Sequence, residues 1–167
     1  DHMAFAPFNL EGRVALITGG NGGIGLGMAE GLAAAGASVC IWGTNEGKNA
    51  AALARLESYG TPVGALRCDV SDEAAVERCF AETLERFGRV DGCFANAGVG
   101  GRAASFDTMT AEEWRRVLAV NLDGVFYTLR AAARHMKARG EEGDNFGRLI
   151  GTASLAAISG QARGEHY

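Results

Sequence analysis

The sequence predicts an α/β domain, a doubly wound parallel sheet with strand order 3-2-1-4-5. Three observations carry that prediction. Short apolar runs alternate with helix-like runs along the whole chain, the pattern of a parallel sheet covered on both faces. A glycine-rich turn, Thr18-Gly19-Gly20-Asn21-Gly22-Gly23-Ile24-Gly25, sits between the first strand and the first helix. Right-handed crossovers then put the switch point between the first and fourth strands, with the ligand site at the C-terminal strand ends. Gly19, Asn96 and Ser154 fall there.

Arg13-Val14-Ala15-Leu16-Ile17 reads as a buried strand, short, apolar and β-branched. Gly25 to Ala35 reads as a helix, with Ile24, Met28, Leu32 and Ala35 spaced to cover one face. Ser38 to Trp42 is the second strand, and Asn45 to Tyr59 the second helix, with Leu53 and Leu56 on its apolar stripe. Val63 to Cys68 is the third strand. Ser71 is read as the cap of a helix reaching Phe87, with Asp72 and Glu73 where the helix dipole favours acids. Val90 to Ala95 is the fourth strand, between Gly88 and Gly98. Thr110-Ala111-Glu112-Glu113 has capping-box spacing and opens one long helix to Arg139. Its stripe of Trp114, Val117, Leu118, Leu122, Val125, Phe126 and Leu129 is expected mostly to cover the sheet. Gly140 to Asn145 is a loop, and Arg148 to Ala153 the fifth strand.

With 167 residues the chain is read as one domain over residues 10–167, preceded by a tag remnant and lead-in at 1–9. Apolar residues make up 47% and charged residues 22%, the profile of a soluble globular domain. A net charge of −4 with scattered Lys and Arg argues against a nucleic-acid surface. No run is long and apolar enough to span a membrane. Cys40, Cys68, Cys79 and Cys93 are far apart and lack a C-x-x-C pair, so they read as reduced thiols of a cytoplasmic protein, with no metal site.

The glycine turn is the strongest functional signal. Its glycines fit two registers, Gly20-x-Gly22-x-x-Gly25 and Thr18-Gly19-x-x-x-Gly23-x-Gly25. In either, backbone N–H groups can approach a pyrophosphate and the helix adds its positive dipole end. The strand before and the helix after raise the motif above a chance match in a chain with 25 glycines.

From that turn onward the chain resembles the short-chain dehydrogenase/reductase family, over Leu10 to Tyr167. The resemblance rests on Thr18-Gly19-x-x-x-Gly23-Ile24-Gly25, Cys68-Asp69-Val70, Asn96-Ala97-Gly98, Asn121 within Val120-Asn121-Leu122, and Ser154 followed by Tyr167. It implies an NAD(P)-dependent oxidoreductase acting on a small alcohol or ketone. Asp69, followed by Val70, would hold the adenine edge, and a turn acid after a strand is the equally good reading of its residue type. Asn96, Ala97 and Gly98 would line the cofactor and brace the sheet. Asn121, counted with the catalytic residues, would mark a local helix break or a bound water, since asparagine is a poor helix former, and a solvent-facing asparagine is the other reading. Ser154 and Tyr167 would do the chemistry, the serine holding the substrate oxygen and the tyrosine moving its proton.

An unperturbed tyrosine has a pKa of about 10 and needs nearby positive charge to act near neutrality. In the family that charge comes from the oxidised nicotinamide and a lysine four residues after the tyrosine. The sequence given stops at Tyr167, so it is read as part of a longer enzyme, and 167 residues alone are expected not to turn over. A non-catalytic dinucleotide-binding module is the competing reading. The family also implies a homodimer or homotetramer.

The end of the second strand, Trp42-Gly43-Thr44-Asn45, carries neither an acid for a ribose 2′-hydroxyl nor a base for a 2′-phosphate. Thr44, Asn45 or backbone groups can hold a neutral hydroxyl, which favours NAD. Lys48 keeps NADP open. Substrate identity is not legible; Val99 to Ser105 and Leu155 to Gln161 are expected to border the pocket. His166 reads as an exposed helix residue or a pocket wall rather than a second acid/base.

Overall fold

Five short strands pair in parallel among the residues that the computed structural model describes, which are 8–101, 105–160 and 166–167. They are β1 (Val14–Thr18), β2 (Ser38–Gly43), β3 (Val63–Arg67), β4 (Gly92–Ala95) and β5 (Arg148–Gly151), and their order is β3-β2-β1-β4-β5. This is the order expected from the sequence. Helices α1 (Gly23–Ala34), α2 (Glu46–Glu57), α3 (Glu73–Phe87), α4 (Ala111–Leu118) and α5 (Gly124–Glu141) fill the crossovers, and a short α6 (Ala156–Ser159) follows β5. Among the described residues, no helix is long and apolar enough to cross a membrane.

The central strands β1 and β2 are apolar almost throughout because both their faces are covered, whereas the edge strand β5 is largely exposed. Leu16 lies opposite Cys40 and Cys93, and Ile17 opposite Ile41 and Phe94. The alternation divides the core in two. Leu16, Cys40, Trp42 and Cys93 pack with Val76 and Phe80 of α3 and with Ala131 and Ala132 of α5. Ala15, Ile17, Val39 and Ile41 pack with Leu26 and Ala29 of α1 and with Ala52 and Leu56 of α2. Trp42 is fully buried, and its indole N–H is satisfied by Thr83 Oγ1 at 3.1 Å. All four cysteines are free and buried. Burial pushes the Cys40 and Cys93 thiols up to about 11 and about 12, which suppresses the reactive thiolate.

Three expectations about the helices need correction. The cap of α3 is Asp72, whose carboxylate accepts from Ala74 N and Ala75 N; Ser71 instead folds back onto Asp69. The core face of α1 is Gly25, Leu26, Ala29 and Ala33, whereas Ile24 is 69% exposed. Ile24 stands in the first turn, past the C-terminal end of β1, and lines the cleft instead of the core. The apolar stripe of the long helix does not stay on the core, because a π-helical turn over Ala119–Asp123 interrupts it. One extra residue per turn there rotates the apolar stripe, so that Val117 before it is buried while Leu122 and Phe126, within and beyond it, are exposed. Thr128, Ala131 and Ala132 take the core positions.

A buried ion cluster ties the strand N-termini together, at the end of the sheet away from the glycine turn. Asp91, 1% exposed, accepts from Val14 N, from Arg89 and from Arg139. Asp144 bridges the same two arginines at 2.8 and 2.6 Å. Burial alone would raise the Asp91 pKa, but the bonds from Arg89, Val14 N and Arg139 outweigh it and hold the carboxyl below its usual range. Asp144 is held at about 2, chiefly by the Arg139 hydrogen bond. Both are depressed carboxylates, so their contribution is present above the ordinary value of 3.8 and is lost as pH falls from there through each lowered value, about 2 for Asp144. Asp91→Ala is expected to cost about 1–3 kcal/mol in urea unfolding at pH 7, because it leaves the buried Val14 N–H without its acceptor and removes one of the two carboxylates that hold Arg89 and Arg139. The deficit should shrink in unfolding curves taken below pH 3.8.

Candidate dinucleotide cleft

Where β1 ends, the chain turns sharply at Gly19, with φ of 65°, and Gly19 N donates to Trp42 O at 2.8 Å. A side chain is excluded at Gly20, where a Cβ would lie 2.6 Å from Ile41 Cγ2, and at two further points of this turn. A Cβ on Gly19 would lie 3.0 Å from Ala97 Cα, and one on Gly25 would lie 2.3 Å from Gly19 O. The second contact lets α1 start directly against the end of β1. Gly22 and Gly23 meet nothing within 4 Å and face open space. Helices α2, α3 and α4 each begin with a side-chain cap and an acid in the first turn, whereas α1 has neither. Its leading N–H groups and positive dipole end thus stand beside an open, uncapped turn.

The opposite wall is built from β4 and β5. Thr18 Oγ1 accepts from Asn96 N and Ala97 N, both at 3.0 Å, and Asn96 Nδ2 donates to Thr18 O at 3.2 Å. Thr152 Oγ1 donates to Asn96 Oδ1 at 3.2 Å, extending the brace to β5. Asn121, at the centre of the π-turn, uses both ends of its amide on Val99, accepting from its N–H at 2.8 Å and donating to its carbonyl at 3.0 Å. The expected helix break is present, and it holds the segment after β4 against the π-turn.

Between these walls lies a cleft of about 920 Å³. Gly19, Asn21, Gly23, Ile24, Gly25, Asn96, Ala97, Gly98, Ser154 and Tyr167 all line it, together with Lys48 and Thr152. Ser154 Oγ accepts from Ala156 N at 3.2 Å, the start of α6. Tyr167 is 48% exposed. A smaller cavity of about 190 Å³ continues past the ends of β2 and β3, lined by Thr44, Asp69, Val70, Gly19, Asn21, Ala97 and Gly98. Asp69 both lines it and closes a turn, accepting from Ser71 N at 3.0 Å. The topology therefore places the two ends of the predicted site in adjoining cavities that share Gly19, Asn21, Ala97 and Gly98.

Three of the predicted site residues line neither cavity. Thr18 and Asn121 act as braces, as described, and Asn45 caps α2 by accepting from Lys48 N at 2.9 Å. Of the expected pocket borders, Val99 and Leu155 line the cleft; residues 102–104 and Gln161 lie outside the described residues. His166 is not exposed: it is 4% accessible, with Nε2 3.3 Å from Glu113 Oε1, and its ring occupies the place a Cβ on Gly101 would need. Asn49 and Thr152 escaped the sequence reading. For Asn49 a signal existed, since it shares the buried face of α2 with Ala52 and Leu56. Among the described residues, no group of His, Cys, Asp and Glu could hold a metal ion.

The family model described as short chain dehydrogenase matches residues 13–167. A levodione reductase from Leifsonia aquatica is 41% identical over 150 residues, covering 89% of this chain and 54% of the relative. The chain thus spans about half the length of that curated protein. The structure of an NAD+-bound xylitol dehydrogenase matches with TM-score 0.89 at 32% identity, over 95% of this chain and 59% of that one. A metagenomic short-chain oxidoreductase in complex with NADP matches with TM-score 0.87 at 33% identity, over 95% and 70%.

Proposed function

The chain belongs to the short-chain dehydrogenase family, and from that premise we propose that its cleft binds a nicotinamide dinucleotide and that Ser154 and Tyr167 act on an alcohol or ketone there. The observation that carries the reading is the one groove, which runs from the uncapped start of α1 to Ser154 and Tyr167. The pyrophosphate would rest on the amides of Gly22 to Gly25, where Gly22 and Gly23 present bare backbone to open space. Asp69 and Val70 would border the adenine, and Asn96 to Gly98 would line the middle of the cofactor.

When bound, the nicotinamide supplies or accepts a hydride at the carbonyl or carbinol carbon. Ser154 would hold the substrate oxygen by a hydrogen bond, the group on which negative charge grows as a carbonyl is reduced. Tyr167 would deliver the proton to that oxygen, or remove it in the oxidative direction. The braces Thr18 and Asn121 would keep the two walls at fixed separation, which matters because reacting atoms must be held in near-contact.

We infer NAD as the preferred cofactor. No cationic side chain lines the smaller cavity among the described residues, and Arg67 is engaged with Glu46 at 3.7 Å and with Thr44 O at 3.4 Å. Lys48, on the wall of the larger cleft, is the side chain that a 2′-phosphate would approach. A homodimer or homotetramer is the assembly we infer, with exposed Leu122 and Phe126 on its contact face, in a cytoplasmic enzyme of reduced cysteines. The test is oxidation of a panel of secondary alcohols and sugars by the intact enzyme, followed by the absorbance of reduced nicotinamide. Turnover with NAD exceeding that with NADP is expected; no turnover with either across the panel, or a preference for NADP, would contradict the corresponding part.

A further inference from the structure

Asn49 is a polar side chain on the core face of α2, 6% exposed, and its Nδ2 donates to two strand-end carbonyls, Gly43 O at 3.0 Å and Leu66 O at 3.1 Å. Both partners can only accept, so the amide can be seated in one sense alone, nitrogen toward the strands. Its Oδ1 is thereby turned outward and accepts from Asn21 Nδ2 at 2.7 Å. That bond fixes Asn21 in turn. Asn21 lines both the large cleft and the smaller cavity, and among the described residues no donor reaches its Oδ1. The pair also closes the end of β2 to any side chain: a Cβ on Gly43 would lie 2.1 Å from Asn21 Nδ2 and 2.6 Å from Asn49 Oδ1.

We propose that Asn49 is a positioning residue for cofactor choice: by engaging the Asn21 nitrogen it leaves Asn21 Oδ1 as a neutral acceptor for the adenosine ribose hydroxyl. A hydroxyl can donate to that oxygen. A 2′-phosphate at neutral pH offers acceptor oxygens and negative charge, and gains nothing from it. No acid at the end of β2 is needed, and none can fit at Gly43 while the amide pair is in place. Discrimination between the two cofactors is thus set from below the cleft floor, by a side chain that touches neither. The inference rests on the dinucleotide reading of the cleft.

The test is equilibrium titration of the protein with NADH and with NADPH, followed by nicotinamide fluorescence, for the wild type, Asn49→Leu, Asn21→Ala and the double variant. Each single change is expected to weaken NADH binding by about fivefold to tenfold, the value of one hydrogen bond, and to leave NADPH binding unweakened. The affinity ratio then falls in both, and Asn49→Leu has no further effect on it once Asn21 is alanine. A merely structural role for Asn49 would lower both affinities together and leave the ratio intact. Asn21 is half-buried, so Asn21→Ala decides the matter even where Asn49→Leu fails to fold. An unchanged ratio in Asn21→Ala, or a ratio that Asn49→Leu still moves in the Asn21→Ala background, would overturn the inference alone. Failure of the wild type to bind either dinucleotide would overturn the cofactor reading and this inference with it.

Discussion

Tyr167→Phe is expected to lower the turnover of the intact enzyme by about 10²–10⁴-fold, the usual range for loss of a positioned proton donor. The substitution removes one hydroxyl from the wall of the cleft and leaves the ring, the glycine turn and the Thr18–Asn96 brace untouched. Cofactor affinity should therefore stay within about twofold of the wild type, which places the loss in the chemical step rather than in binding. Steady-state kinetics and NADH titration on the same preparation separate the two. A variant that keeps more than about a tenth of wild-type turnover would remove Tyr167 from the proton-transfer role.

Gly25→Val is expected to abolish measurable dinucleotide binding. A Cβ at this position would lie 2.3 Å from the carbonyl oxygen of Gly19 and 2.5 Å from Asn96 Nδ2. The first of these is backbone and cannot rotate away, so α1 must shift off the end of β1 and take its leading amides with it. Overpacking of this kind costs about 1–3 kcal/mol in stability. The loss of binding should exceed that figure, because the ligand needs the amides in register. Gly27→Ala is the matched control. Its Cβ meets nothing within 4 Å, and in the middle of α1 alanine should add about 0.5–1 kcal/mol to helix stability without changing NADH affinity. Thermal unfolding and NADH titration of both variants check the pair.

The centre of the sheet was legible in the sequence because β1 and β2 are buried on both faces and read as short apolar runs with no ambiguity of side. The glycine turn was legible because its residues are constrained by backbone approach, a local requirement. What escaped depends on contacts between distant segments. Ile24 fits the helical spacing of α1 as well as Leu26 does, and only the seating of α1 on β1 and β2 decides which of them is covered. The π-turn at Asn121 adds a residue to one turn, so a stripe counted at regular spacing drifts off the core beyond it. Asn49 looks like a solvated helix residue until Gly43 O and Leu66 O are brought above it. His166 is buried by Gly101 and Glu113, both more than fifty residues away along the chain, and neither is marked by its neighbours in sequence.

The central claim is that the uncapped start of α1 and the facing Asn96 segment form the two walls of a dinucleotide site. Amide chemical shifts followed during an NADH titration test it most directly. Shifts concentrated at residues 19–26 and 96–98, with smaller ones at Thr44 and Asp69, are the expected result. Saturable binding that moves other amides and leaves the glycine turn unperturbed, or no saturable change at all, would contradict it.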